Sequence, residues 1–289
     1  MSTDFSQRTR TIRRSERGFL RDVSEQVRPS ELLLLAVVPV VLVAVALLPE
    51  STRGALAFDT ADPEVVAAFT AHYVHFNEVH LYGNLVIYAV VATLAYLLAI
   101  LSGRRQVFVA GFLTLLVVFP FALSGMQLAF PRERAVLGFS GLNAALFGLL
   151  SLLVVSYARA VFSDHLEEQY APALLFITLG LIAFVTLPAR AWRFELTLVS
   201  LLVGFGYVGV LVSRVGIPSL SAVRAALDRP GYIELFGASL GAVFAYPFVG
   251  FQEAVVLGDA VTDVYVHLLG YATAFIVAFV FVVVIDAIE

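Results

Sequence analysis

The sequence predicts an all-α polytopic transmembrane helical bundle of about eight spans. Three observations lead there. The 289 residues are 60% hydrophobic and only 14% charged, far from the balance of a soluble domain. The apolar residues gather into runs of the ~20 residues needed to cross ~30 Å of hydrocarbon. The arginines between those runs fall unequally on alternate sides. Cysteine is absent, which excludes disulfides, thiol nucleophiles and thiolate metal sites.

Residues 1–29 carry Arg8, Arg10, Arg13, Arg14, Arg17, Arg21 and Arg28. They contain no short apolar core followed by a small-residue cleavage site, so the segment reads as a basic cytoplasmic arm and not a signal peptide. A second reading is a basic helix lying on anionic headgroups. Residues 30–289 form the membrane domain, with runs near 31–49, 80–101, 107–129, 138–160, 171–188, 195–213, 232–250 and 266–286. The seventh is the weakest, with Glu234 near one end and Pro247 near the other. A long segment, 50–79, joins the first two runs and is itself partly apolar around Val65 to Phe69.

With the N-terminus inside, the inner segments hold the seven arm arginines together with Arg104, Arg105, Arg159, Arg214, Arg224 and Arg229. The outer ones hold Arg53, Arg132, Arg134, Arg190 and Arg193. This asymmetry fits the positive-inside rule. It implies a multi-pass protein of the cell membrane with both termini cytoplasmic. In the same map His80, Asn84, Ser140 and His267 all fall at the outer ends of their spans. Lipid is the expected surrounding, and nothing points to nucleic acid.

Those four residues carry chemistry together. His80 and Asn84 are four apart and share a helix face; their N–H groups could stabilise an oxyanion in a water-poor site. Ser140 stands at a helix N-terminus, where unmet backbone N–H groups and the helix dipole favour an anion. Gly138 and Gly141 allow close approach of another backbone, and Gly141, Ala145 and Gly148 continue a small-residue packing face. His267 opens the last run, with Gly270 and Ala274 near the same face. An ionisable side chain at such a place is a functional hypothesis by default, and Asp263, four residues earlier, could orient its ring. Read singly, each feature also fits simpler duties: a polar pair fastening helices, a packing face with a filler serine, a histidine at the headgroup level, an aspartate capping a helix. Read together, they supply nucleophile, base and oxyanion donors at one depth on three helices, the inventory for acyl transfer. A metal site from His72, His75 and His80 is disfavoured, because spacings of three and five do not stack on one helix face.

The pattern resembles the rhomboid family of intramembrane serine proteases. That family carries His-x4-His-x3-Asn on one helix, Gly-x-Ser-Gly on a second, and a histidine followed by small residues on a third. Here His75, His80 and Asn84 match the first, Gly138, Ser140 and Gly141 the second, and His267 with Gly270 and Ala274 the third. The resemblance covers residues 31–160 and 266–286. It implies a Ser140–His267 dyad, an oxyanion hole built from His80, Asn84 and the Ser140 amide, membrane-protein substrates cut in or near a transmembrane segment, and no cofactor or metal. Two departures stand out. Three runs lie between the serine and histidine helices where the family usually has one; three is odd, so both helices still start on the same side. Ala144 occupies the position, four after the serine, where the family often has a tyrosine that packs on the catalytic histidine. Two other classes compete: a rhomboid-like pseudoprotease that binds membrane proteins without cutting them, and a transporter, which would call for midplane ionisable residues and repeated halves.

Overall fold

A computed structural model describes residues 18–129, 137–188, 192–217, 219–251 and 264–288. Arg8, Arg10, Arg13, Arg14 and Arg17 of the arm, together with Arg132, Arg134, Arg190 and Asp263, lie outside the described residues. Within them the chain is helical and contains no strand. Helix α1 is described over 18–26. It is followed by α2 (Pro29–Ala46), the short α3 (Glu50–Ala55) and α4 (Val65–Thr70), and a 3-10 turn, Ala71–Tyr73. Next come α5 (Glu78–Leu101), α6 (Arg105–Val117), α7 (Phe119–Ala129) and α8 (Ser140–Val161). The remainder is α9 (Pro172–Thr186), α10 (Arg193–Val215), the short α11 (Leu220–Leu227), α12 (Tyr232–Gly250) and α13 (Val264–Ile288). Seven helices among the described residues are long and apolar enough to cross a membrane, or eight if the bent pair α6–α7 is one span. The protein is therefore an all-α polytopic bundle.

The third apolar run, expected as one span over 107–129, is instead two helices bent by 49°. The cause is Pro120. It has no N–H to give the carbonyl of Leu116, four residues earlier. In hydrocarbon an unmet carbonyl is costly, and here the Tyr73 hydroxyl donates to it at 2.8 Å. The same arrangement recurs at Pro39 inside α2, where the Tyr88 hydroxyl donates to Leu35 O at 2.7 Å. Each tyrosine thus ties a proline-containing apolar run to a neighbour. Replacing Tyr73 or Tyr88 by Phe is expected to destabilise the bundle by about 1–3 kcal/mol, read as a lower unfolding midpoint in detergent. An unchanged midpoint in both would mean that these carbonyls are met in another way.

Helix α8 is the centre. In its span window 83% of residues are buried, against 6% for α10 at the periphery. α13 runs parallel to α8 along a seam of small residues. A methyl group placed on Gly148 would lie 2.2 Å from Tyr271 O and 2.9 Å from Phe275 N; one on Gly270 would lie 2.4 Å from Gly141 O. Backbone therefore meets backbone, the close approach that helix association in lipid favours. The three long helices between α8 and α13, α9, α10 and α12, divide their duties. α9 and α10 pair with each other, Gly204 seating against Ile177 and Gly180 against Leu201. α12 packs on α8, α5 and α9. At the far end of α12, Phe19 of α1 meets the Tyr232 ring edge-on at 5.0 Å, and the Tyr232 hydroxyl donates to Asp22. The second half of the basic arm is therefore a helix docked on the bundle, not a freely solvated segment.

Candidate functional site

Ser140 is the first residue of α8 and is half-buried. Its position is fixed from the residue before the cap. Gly138 has φ +94°, in the left-handed region that glycine adopts without penalty, and its N–H donates to Ala71 O at 3.1 Å. A side chain there would also collide: a Cβ would lie 2.8 Å from His80 Cε1 and 3.4 Å from His75 Nε2. The Phe139 carbonyl accepts the Asn143 N–H at 2.9 Å and closes the first turn. The N–H groups of Ser140, Gly141 and Leu142 precede the first intrahelical bond and have no acceptor within the helix.

His267 lies in the described first turn of α13 and is buried. Its Nδ1 is 2.7 Å from Gly250 O. A carbonyl only accepts, so Nδ1 carries a hydrogen, as it does in the tautomer of a general base. Phe251 adds its ring edge at 5.8 Å between centroids. The imidazole is thus held by the end of α12, not by a residue of α8. Ala144 is small for a related reason: its Cβ would be 3.4 Å from a Cβ at Gly270, and an aromatic ring would force the seam apart. Asp263, the other candidate for orienting His267, lies outside the described residues.

The first turns of α8 and α13 touch. A Cβ on Gly141 would meet Val266 Cγ1 at 2.7 Å. Ser140 and His267 therefore open two adjacent parallel helices at the same end of the bundle. Among the described residues, no hydrogen bond joins the Ser140 hydroxyl to the His267 ring.

The expected oxyanion donors sit beside Ser140 in a polar layer. His75 precedes α5, in the linker, while Asn77 caps that helix by accepting the His80 N–H at 3.1 Å. His75 Nε2 accepts from Asn84 Nδ2 at 3.1 Å and from the Phe139 N–H at 3.3 Å. Asn84 Nδ2 also donates to His80 O at 3.1 Å, so both hydrogens of its amide are engaged inside the protein. Asn84 is therefore a brace in this structure, where the sequence suggested a donor facing substrate. His80 is half-buried, its ring edge-on to His75 at 5.1 Å and its Cε1 against Gly138.

Sequence reasoning missed two partners. Asn143 Nδ2 donates to Asn84 Oδ1 at 2.9 Å and to Asn84 O at 3.1 Å, tying α8 to α5 one turn below Ser140. Its signal was a lone amide in an apolar run. His72 is fully buried and joined through Nε2 to Ser124 Oγ at 3.0 Å; Ser124 in turn donates to Ala68 O at 2.7 Å. This fixes the 50–79 segment to α7, while Arg53 ties the two ends of that segment together by donating to His75 O at 2.6 Å. His72 thus points away from His75 and His80. Among the described residues no group of three or more metal-ligating side chains could hold an ion.

Burial lowers His72 to about 4, and burial with the nearby His80 lowers His75 to about 4, from the ordinary ~6.5. The depressed folded values mean that unfolding takes up protons between pH ~6.5 and ~4. Stability is full above the unfolded value and lost as pH falls through the folded one. The unfolding midpoint is expected to drop between pH 7 and pH 4.5, with a shallower drop in His75→Gln. An equal slope in that variant would contradict a role for His75 in the acid loss.

Comparison with protein-family models, curated proteins and solved structures gives no match.

Proposed function

We propose that the chain is an intramembrane serine endopeptidase of rhomboid type, cutting transmembrane protein substrates with Ser140 as nucleophile and His267 as general base. The observation that carries this reading is the α8–α13 seam, which opens with Ser140 on one helix and His267 on the other, the latter donating from Nδ1 to Gly250 O. The hydrogen bond of such a dyad often tightens only with substrate bound.

In the proposed reaction Ser140 Oγ attacks the scissile carbonyl and His267 Nε2 takes its proton. Charge develops on the carbonyl oxygen beside the N-terminus of α8, where the Ser140 amide and the helix dipole favour it, with His80 as the adjacent side-chain donor. His267 then protonates the leaving amine, and water, activated by the same ring, hydrolyses the acyl-enzyme. Asn84 and Asn143 would hold the layer rigid. In this reading the site faces the outer side of the cell membrane and both termini are cytoplasmic, as the arginine distribution suggests.

The test is cleavage of a transmembrane reporter in proteoliposomes. Wild type is expected to cut and Ser140→Ala to be inactive. Binding without cutting by both would instead favour the pseudoprotease, to which the engaged Asn84 amide lends weight. Flux of a solute, unchanged by Ser140→Ala, would favour a transporter.

A further inference from the structure

Gly250 is the last residue of α12. A helix leaves its last four carbonyls without donors of its own, so Gly250 O is open to an outside N–H, and His267 Nδ1 supplies one at 2.7 Å. Such a bond fixes an imidazole only as well as the carbonyl itself is fixed. What holds the end of α12 in place therefore decides where the His267 ring stands.

Tyr246 lies one turn before Gly250 and is buried. Its ring stacks on Phe147 of α8, with 3.7 Å between centroids and 17° between planes. It also lies 6.3 Å from the ring of Tyr271 on α13. Phe147 comes seven residues, two turns, after Ser140, and Tyr271 comes four residues, one turn, after His267. One ring of α12 thus meets both helices that carry the proposed dyad.

The same ring reaches forward along its own helix. A Cβ on Gly250 would collide with Tyr246 Cε2, Cδ2 and Cζ, so only glycine lets the ring lie against the helix end. Tyr246 meets Phe251 edge-on at 5.2 Å and 75°. Phe251 is fully buried and meets the His267 ring edge-on at 5.8 Å and 88°. Phe147, Tyr246, Phe251 and His267 form a continuous run of rings in geometries that aromatic pairs favour. A close-packed interior passes a displacement along such a run.

We propose that Tyr246 is a positioning residue for His267. Its ring fastens the end of α12 to α8, and the end of α12 delivers Gly250 O and Phe251 to the imidazole. The consequence for catalysis rests on the reading of His267 as general base; the positioning itself does not.

The experiment has one readout for each part. The protein has five histidines. With their rings labelled with ¹⁵N, the His267 Nδ1–H signal is identified in detergent by its loss in His267→Ala. Wild type and Tyr246→Phe, which keeps the ring, should show this signal protected from exchange with water. Tyr246→Leu should lose it. Phe236→Leu is the control for general loosening: Phe236 is half-buried in α12 at the end opposite Gly250, edge-on to Phe162 at 5.3 Å, and its loss should leave the signal in place. Fluorophosphonate labelling of Ser140 should slow by about tenfold to a hundredfold in Tyr246→Leu, as for a misplaced catalytic group, and stay at the wild-type rate in Tyr246→Phe. In the His267→Ala background the change at Tyr246 should add less than about twofold, because the group it positions is gone. A protected signal in folded Tyr246→Leu, its absence from wild type, or its equal loss in Phe236→Leu would overturn the proposal. Loss of the signal in Tyr246→Leu alone, with no labelling of Ser140 even in wild type, would uphold the positioning and overturn the protease reading.

Discussion

His267→Ala is expected to slow the reaction of Ser140 with a fluorophosphonate probe by about a thousandfold, within the range that a positioned general base supplies. An isolated serine hydroxyl is a weak nucleophile and needs a base that removes its proton as the new bond forms. In the proposed reaction that duty falls to the His267 ring, whose Nδ1 donates to Gly250 O at 2.7 Å and which meets the Phe251 ring at 88°. The substitution also leaves the Gly250 carbonyl without its donor, which costs about 1–3 kcal/mol. Labelling rates should therefore be compared on protein whose unfolding midpoint has been measured alongside. A folded His267→Ala protein that reacts at the wild-type rate would remove His267 from the reaction.

The second large effect is expected at Gly148. The atoms a new methyl group would meet, Tyr271 O at 2.2 Å and Phe275 N at 2.9 Å, are both backbone, so no side chain can turn aside. α13 itself must move away from α8. Overpacking of this kind costs about 1–3 kcal/mol and occasionally more; Gly148→Ala should lie at the upper end and Gly148→Val beyond it. Because the same seam aligns Ser140 with His267, probe labelling should fall with stability. Gly241→Ala in α12 is the control. A methyl group there meets nothing within 4 Å, and replacing a helical glycine by alanine can add up to about 1 kcal/mol. If Gly148→Ala unfolds at the wild-type midpoint, the seam is not the close contact described.

Much of this architecture was legible because lipid simplifies the reading. A run such as 232–250 has one stable option in hydrocarbon, and α12 spans Tyr232–Gly250. The bend at Pro120 was not legible as a bend. A proline in an apolar run either kinks the helix or passes, depending on whether another group meets the freed carbonyl, and Tyr73 is far away in sequence. The residues around Ser140 were legible as types: glycine where the backbone turns left-handed at Gly138, a histidine and an asparagine four apart on α5. Their bonds were not. A sequence cannot show that the Asn84 amide is drawn between His75, His80 O and Asn143, since three separate segments must converge for that. The support for His267 was hidden in the same way. It comes from a backbone carbonyl, Gly250 O, and no side-chain pattern announces which carbonyl a fold will deliver.

The most direct test is to react the detergent-solubilised protein with a fluorophosphonate and locate the adduct by peptide mass spectrometry. A single adduct on the peptide containing Ser140, absent from Ser140→Ala and strongly reduced in His267→Ala, is the result the Ser140–His267 dyad requires. An adduct on another serine, or none on folded wild-type protein, would contradict it.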